Sequence, residues 1–295
     1  MHRLPRLLSP LFIAGLLAVG PFTAWVSAQG TPAAAQPQLE VLAFGVPPTL
    51  PSAPALLALA RFTYAPGTTY PEPAQPGPQL GYVETGTFTV HASGPVEVQH
   101  PVTTNGTPTS TQEASPAAET TLAAGDTILV PSGIAVTFQN SGSATASILG
   151  AGVLPAGAVV PRTFPAGLTV KALATGVAQA VPPTSALVLR RDIVPPGAAE
   201  PPQTPNRGPL LAYVESGSLA YTLVQGDARV TSPQGSGTPP VPPTAVGLSV
   251  ETLNPGSSVV EQVGVISGVR NIRTQPASVL IFFLEPPMFR GTPTT

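Results

Sequence analysis

Short runs of alternating apolar and polar residues, closed off by glycine and proline, make up most of this chain. "LGYVETGTFTVHA" (80–92) alternates, breaks at Gly86 and alternates again, which predicts a β-hairpin turning at Thr85–Thr87. "TILVP" (127–131) and "IAVTFQN" (134–140) are short and rich in β-branched residues, with Pro131, Ser132 and Gly133 dividing them. "SVLIFFLEP" (278–286) is apolar almost throughout, as suits a strand buried on both faces. No stretch beyond residue 28 sustains a 3.6-residue apolar period bounded by caps. Many short strands and no helix predict an all-β chain of sandwiches or barrels.

The pattern occurs twice. "LGYVETGTF" (80–88) returns as "LAYVESGSL" (211–219), a shift of 131 residues. The same shift carries Gly125, Gly133 and Asn140 onto Gly256, Gly264 and Asn271, and "ASILGAGVLP" (146–155) onto "ASVLIFFLEP" (277–286). Upstream, "ARFTYAPG" (60–67) matches "RRDIVPPG" (190–197) with one residue of slip. A register held over so long a span predicts two copies of one domain. The expected division is a leader at 1–28, a flexible linker at 29–38, a first barrel at 39–156, a linker at 157–167 and a second barrel at 168–290. The segments 101–121 and 231–247 nearly lack large apolar residues and read as surface loops.

Composition narrows the setting. Of 295 residues, 42% are hydrophobic, enough for packed cores, and only 9% are charged. A net charge of −2 and a single lysine, Lys171, give no basic field, so nucleic acid is not an expected partner. The leader carries Arg3 and Arg6, then the apolar "LFIAGLLAVGPFTAWV", then Val26 and Ala28 as a small-residue cleavage site. That order predicts a cleaved secretory signal, an extracytoplasmic protein and no stable membrane span after cleavage; the alternative is an uncleaved anchor. There is no cysteine, hence no disulfide and no thiol chemistry.

"GDTILVPSGIAVTFQN" (125–140) brings in chemistry by what it lacks. Gly125, Pro131, Gly133 and Asn140 sit at the spacings of the second motif of the cupin superfamily, with Val136 at the place of a metal-binding histidine. In the second copy Gly256, Gly264 and Asn271 fit, while Gln262 replaces the proline and Ser267 the histidine. The chain therefore resembles a two-domain bicupin over roughly residues 39–290, which implies two tandem jelly-roll (double-stranded β-helix) barrels. It also implies a metal held by three histidines and one glutamate. Counting back from the turn glycines, Gln79 and Leu210 stand at the glutamate places, and the two preceding histidines are missing from both copies. Beyond the leader only His91 and His100 remain, both outside the motif. His91 alternates away from the core, and His100 stands at the mouth of the 101–121 loop. No metal and no other cofactor is expected.

Nothing else reads as catalytic. There is no G-x-S-x-G, no phosphate-cradling loop and no dinucleotide fingerprint. Alternation turns Glu84 and Glu215 outward as solvated turn residues, and it makes Tyr82 and Tyr213 packing residues on the outer face. A pocket, where one exists, is expected in the first barrel. Val136 marks an inward face shared by Ile134 and Phe138, Gln79 is inward with Val83, Phe88 and Val90 enter from the next strand, and Tyr70 and Glu72 stand at the open end. The alternative is a filled core. In the second barrel Leu210, Val265, Ser267 and Val269 look suited to solid packing. The expectation is an exported, metal-free bicupin that binds a small molecule or serves as an interaction module. A cupin-type enzyme with an atypical site and a structural envelope protein are the alternatives, and a homo-oligomer is compatible with all of these.

Overall fold

A computed structural model describes residues 35–100, 111–114, 119–158, 163–202, 204–233, 244–246 and 250–286. The leader and most of the 29–38 linker lie outside these residues. Every regular element among them is a strand, and every pairing is antiparallel. The strands form two seven-stranded and two four-stranded sheets, one of each kind per repeat. The chain is all-β, as its alternation predicts.

In the first repeat the seven-stranded sheet has Ala55–Tyr64, Ala146–Pro155, Gln79–Thr85 and Thr127–Val130 in its middle. The facing four-stranded sheet runs Thr69–Glu72, Val136–Asn140, Thr87–Ala92 and Glu119–Ala123. The second repeat copies this with Ala186–Val194, Ala277–Glu285, Leu210–Ser216 and Ser258–Glu261 in the large sheet. Its small sheet runs Ala199–Glu200, Ile266–Asn271, Leu219–Gln225 and Val250–Leu253. Each half is thus a two-sheet jelly roll.

The hairpin expected at 80–92 is not formed. Gln79–Thr85 and Thr87–Ala92 lie in different sheets, and the chain crosses from one to the other at Gly86. Both alternations are real, but the strands they define pair elsewhere, because closing a jelly roll needs corners. Gly86 has φ +84°, and a Cβ there would lie 2.4 Å from the Ala146 Cβ, so only glycine fits the corner. Gly217 repeats the arrangement against Ala277, with φ +75°. The 101–121 loop also contains backbone pairing: Thr111–Ala114 joins Val96–Gln99, and Glu119–Ala123 joins Thr87–Ala92.

The strand preceding each repeat is exchanged. Gln38–Gly45 pairs with Ala186–Val194 at the edge of the second sheet, and Leu168–Ala178 pairs with Ala55–Tyr64 at the edge of the first. A division of the chain at 157–167 therefore does not divide the sheets. The two large sheets pack face to face over a core drawn from both repeats, including Leu57, Leu59, Leu149, Leu187, Leu189, Leu211 and Phe282. "SVLIFFLEP" runs through the middle of its sheet: Phe282 and Leu284 enter this shared core, while Val279 and Ile281 pack toward their own barrel.

Glu84 and Glu215 do point away from their barrel interiors, but they are not solvated. Arg61 Nε donates to Glu84 Oε2 at 2.6 Å and its Nη2 to Glu215 Oε1 at 2.7 Å. Arg191 answers from the other repeat, Nε to Glu215 Oε2 at 3.0 Å and Nη2 to Glu84 Oε1 at 3.2 Å. The outer face of each barrel is the face that meets the other barrel. This is why charges expected in water form a ring, and why Tyr213 is buried in the shared core with Tyr82 packed against it.

Candidate functional site

Each half encloses an interior between its large and small sheets, and the two interiors are filled differently. In the first, Tyr64, Phe88 and Phe138 make successive edge-to-face contacts with centroids 5.1 Å and 6.5 Å apart. Tyr70 meets Phe164 in the same way at 5.8 Å. The expected residues Tyr70, Val83, Phe88, Val90, Val136 and Phe138 are all brought together, as one buried cluster with Ile134 packed against it. About 30 Å³ of space remains, beside Glu72, Gln79 and Phe138, room for a water or two. Burial pushes the Glu72 carboxyl above its usual range, against a hydrogen bond from Gln79 that pulls the other way. The first barrel is a filled core.

The second interior is hollow, with a cavity of about 320 Å³. Strand register identifies the cause. Phe138 lies opposite Tyr70 in the first half, and Val269 opposite Glu200 in the second. Phe88 lies opposite Asn140, and Leu219 opposite Asn271. Asn140 donates to the Tyr64 carbonyl, and Asn271 to that of Val194. Four rings are thus replaced by Val194, Glu200, Leu219 and Val269, and the volume they filled is left open. Leu210, Ser267 and Val269, expected to pack solidly, line this space instead, while Val265 is fully buried. Reading alternation within one repeat could not show this; comparing side-chain size across the repeat could have.

The cavity wall is not merely apolar. Glu261, 3% exposed, stands where the first half has Val130: Gln79 is opposite Val130 as Leu210 is opposite Glu261. Its Oε1 accepts from Tyr221 Oη at 2.8 Å and Ser267 Oγ at 2.7 Å, and its Oε2 accepts from Asn206 Nδ2. Ser267, at the position of a metal-binding histidine, is therefore a hydrogen-bond donor to a carboxylate. Burial pushes the Tyr221 hydroxyl well above its usual range, reinforced by the adjacent Glu261 charge.

A second polar group faces the cavity from strand Ala186–Val194. Arg190 Nη2 donates to Asp192 Oδ2 at 2.7 Å, and the guanidinium lies 5.7 Å from the Phe283 ring centroid. Asp192 Oδ1 and Arg190 Nε are buried without hydrogen-bond partners. Burial pushes the Asp192 carboxyl up to about 6, despite the opposing Arg190 charge. None of these groups was singled out from sequence. The available signal was a charged side chain at an inward position of an otherwise apolar strand.

The residues present do not fit a transition metal. The ligand places hold Val136, Gln79, Ser267 and Leu210, and among the described residues no three His, Cys, Asp or Glu side chains converge as a metal site. His91 is exposed beside Glu119 at 3.5 Å, and His100 contacts Asp126 at 2.9 Å. The motif glycines instead turn the backbone at positive φ: Gly125 and Gly133 in the first repeat, Gly256 and Gly264 in the second. The frame survives because it serves the fold.

Fold and motif frame together make the chain an all-β protein of two tandem jelly-roll barrels, the architecture its resemblance to bicupins implies. No protein-family model matches it, and no curated protein matches it. Solved structures to which it is similar include AerE from Microcystis aeruginosa, at 14% identity and TM-score 0.42, covering 83% of this chain and 100% of that one. The cupin 2 conserved barrel domain protein from Leptotrichia buccalis aligns at 11% identity and TM-score 0.35, covering 86% and 92%. A point mutant of Bacillus subtilis oxalate decarboxylase aligns at 12% identity and TM-score 0.44, covering 79% and 70%.

Proposed function

We propose that this protein is an exported, non-enzymatic bicupin whose second barrel binds a small molecule while its first serves as a packed structural partner. One observation carries the reading: a cavity of about 320 Å³ in one repeat where the other holds four aromatic rings. Apolar walls with a few converging polar groups are the usual make-up of a small-molecule site. Export rests on the charged, apolar and small-residue order of positions 1–28. Mass spectrometry of protein recovered outside the cytoplasm should show a chain beginning after Ala28, and recovery of the intact chain in the cytoplasm refutes export.

A thermal-shift screen of small metabolites, run in parallel on Val269→Phe, tests the binding. That substitution restores the ring the first barrel has at this position. A ligand bound only by the folded protein raises its Tm. Compounds that stabilise the native chain should lose their effect on a variant that is itself at least as stable. A screen that stabilises nothing, or shifts that persist unchanged in Val269→Phe, would overturn the reading.

A further inference from the structure

Resting on that reading, we propose that the second barrel selects small cationic amines with a compact apolar body. The cavity wall carries four carboxylates, Asp192, Glu200, Glu261 and Glu285, and two guanidinium groups, Arg190 and Arg207. Arg190 is paired with Asp192 at 2.7 Å and Arg207 with Glu285 at 2.9 Å. Glu261 and Glu200 have no ion-pair partner among the described residues. Glu261 is nearly inaccessible to water, and the hydrogen bonds it accepts come from neutral groups. These satisfy its lone pairs without cancelling its charge, and a buried uncompensated charge is costly.

Asp192 adds an independent sign of a missing donor. Its side chain is 4% exposed, it lines the same cavity, and its Oδ1 accepts no hydrogen bond. An ammonium group supplies a positive charge and three donors with no acceptor, which suits the unpaired Glu261 carboxylate and the open Asp192 Oδ1, although it leaves the buried Arg190 Nε donor without a partner. The body of such a ligand would rest against Val194, Leu219 and Val269, where the first barrel holds its rings. An anionic ligand would meet Glu261, whose charge no cation among the described wall residues pairs.

Isosteric probes separate charge from shape. Cyclohexylamine, cyclohexanol and cyclohexanecarboxylate would be titrated calorimetrically into the full mature chain near neutral pH. The amine should bind at least about ten-fold more tightly than either isostere, a difference of about 1.4 kcal/mol. Glu261→Gln should abolish the amine's preference, bringing its affinity to within about two-fold of the alcohol measured on the same variant. Should that variant fail to fold by circular dichroism, Glu200→Gln carries the same expectation in weaker form. Equal or tighter binding of the alcohol or carboxylate, or an amine preference surviving both substitutions, overturns the inference. Absence of binding by all three also overturns it. The binding reading itself then stands or falls separately, on whether the wider screen finds any ligand that Val269→Phe abolishes.

Discussion

Single side chains hold the sheets of each barrel together, and two of them repeat in register. Asn140 Nδ2 donates to the Tyr64 and Ala144 carbonyls while its Oδ1 accepts from the Gly142 amide. Asn271 does the same with Val194, Gln275 and Arg273. Each asparagine closes its own turn and ties the small sheet to the large one, which explains its place in the motif without a metal. Asp192 is the opposite case, a side chain the fold tolerates at a cost. Its folded pKa of about 6 lies above the ordinary 3.8, so the folded state prefers the protonated acid. That contribution is fully present below pH ~4 and is lost as pH rises through ~6, a swing of about 3 kcal/mol. The groups facing it are Arg190 on its own strand and Glu200 on the small sheet, while its cross-strand neighbours Leu39 and Val279 are apolar. Thermal melts from pH 4 to pH 7 should show native protein losing stability relative to Asp192→Asn. A constant difference between the two would show that Asp192 is ionised throughout.

At the scale of elements, glycine corners decide which strands meet. Gly86 and Gly133 both have positive φ, but a Cβ at Gly86 would collide with Ala146, and one at Gly133 would meet nothing within 4 Å. Gly133→Ala should therefore cost only the backbone strain, about 1 kcal/mol. Gly86→Ala adds a steric clash and should cost roughly 2–4 kcal/mol. Denaturant titrations giving equal costs would contradict the corner geometry. The strands themselves were legible in the sequence, because alternation is set by each strand's own burial. The hairpin was misread because Gly86 marks a reversal equally well within one sheet or between two, and only distant partners such as Glu119–Ala123 distinguish them. The cavity was misplaced for a related reason: alternation says which way Leu219 and Val269 point, and nothing about whether their neighbours fill the space between them. Glu261 escaped notice inside "SVVEQ" because its three donors, Asn206, Tyr221 and Ser267, come from separate segments.

Over the whole molecule, the two repeats are laced rather than merely joined. Each large sheet ends in a strand from the other repeat's side of the chain, and both bury Leu and Val faces in one shared core. The ring of Arg61, Glu84, Arg191 and Glu215 lies on those same faces and joins the two repeats. Arg61 is drawn to its charged form by hydrogen bonding to Glu84. Burial alone would raise the Glu215 carboxyl, but hydrogen bonds from Arg61, Arg191 and Ser278 bring it below the usual range. Partly buried ion pairs of this kind fix alignment more than they add stability, so the apolar interface must supply most of the cohesion. Separated halves, residues 35–158 and 163–286, should then fail to fold alone. Each would lose an edge strand, leave the Ala55–Tyr64 or Ala186–Val194 edge unpaired, and expose leucines such as Leu59 or Leu189 that are now 1% or less accessible. Co-expressed, the halves should assemble into one complex with a single cooperative melt, since every interface lost by cutting at 159–162 can re-form between chains. Either half melting cooperatively as a monomer would show that the exchanged strands are dispensable, and that the repeats are independent barrels after all.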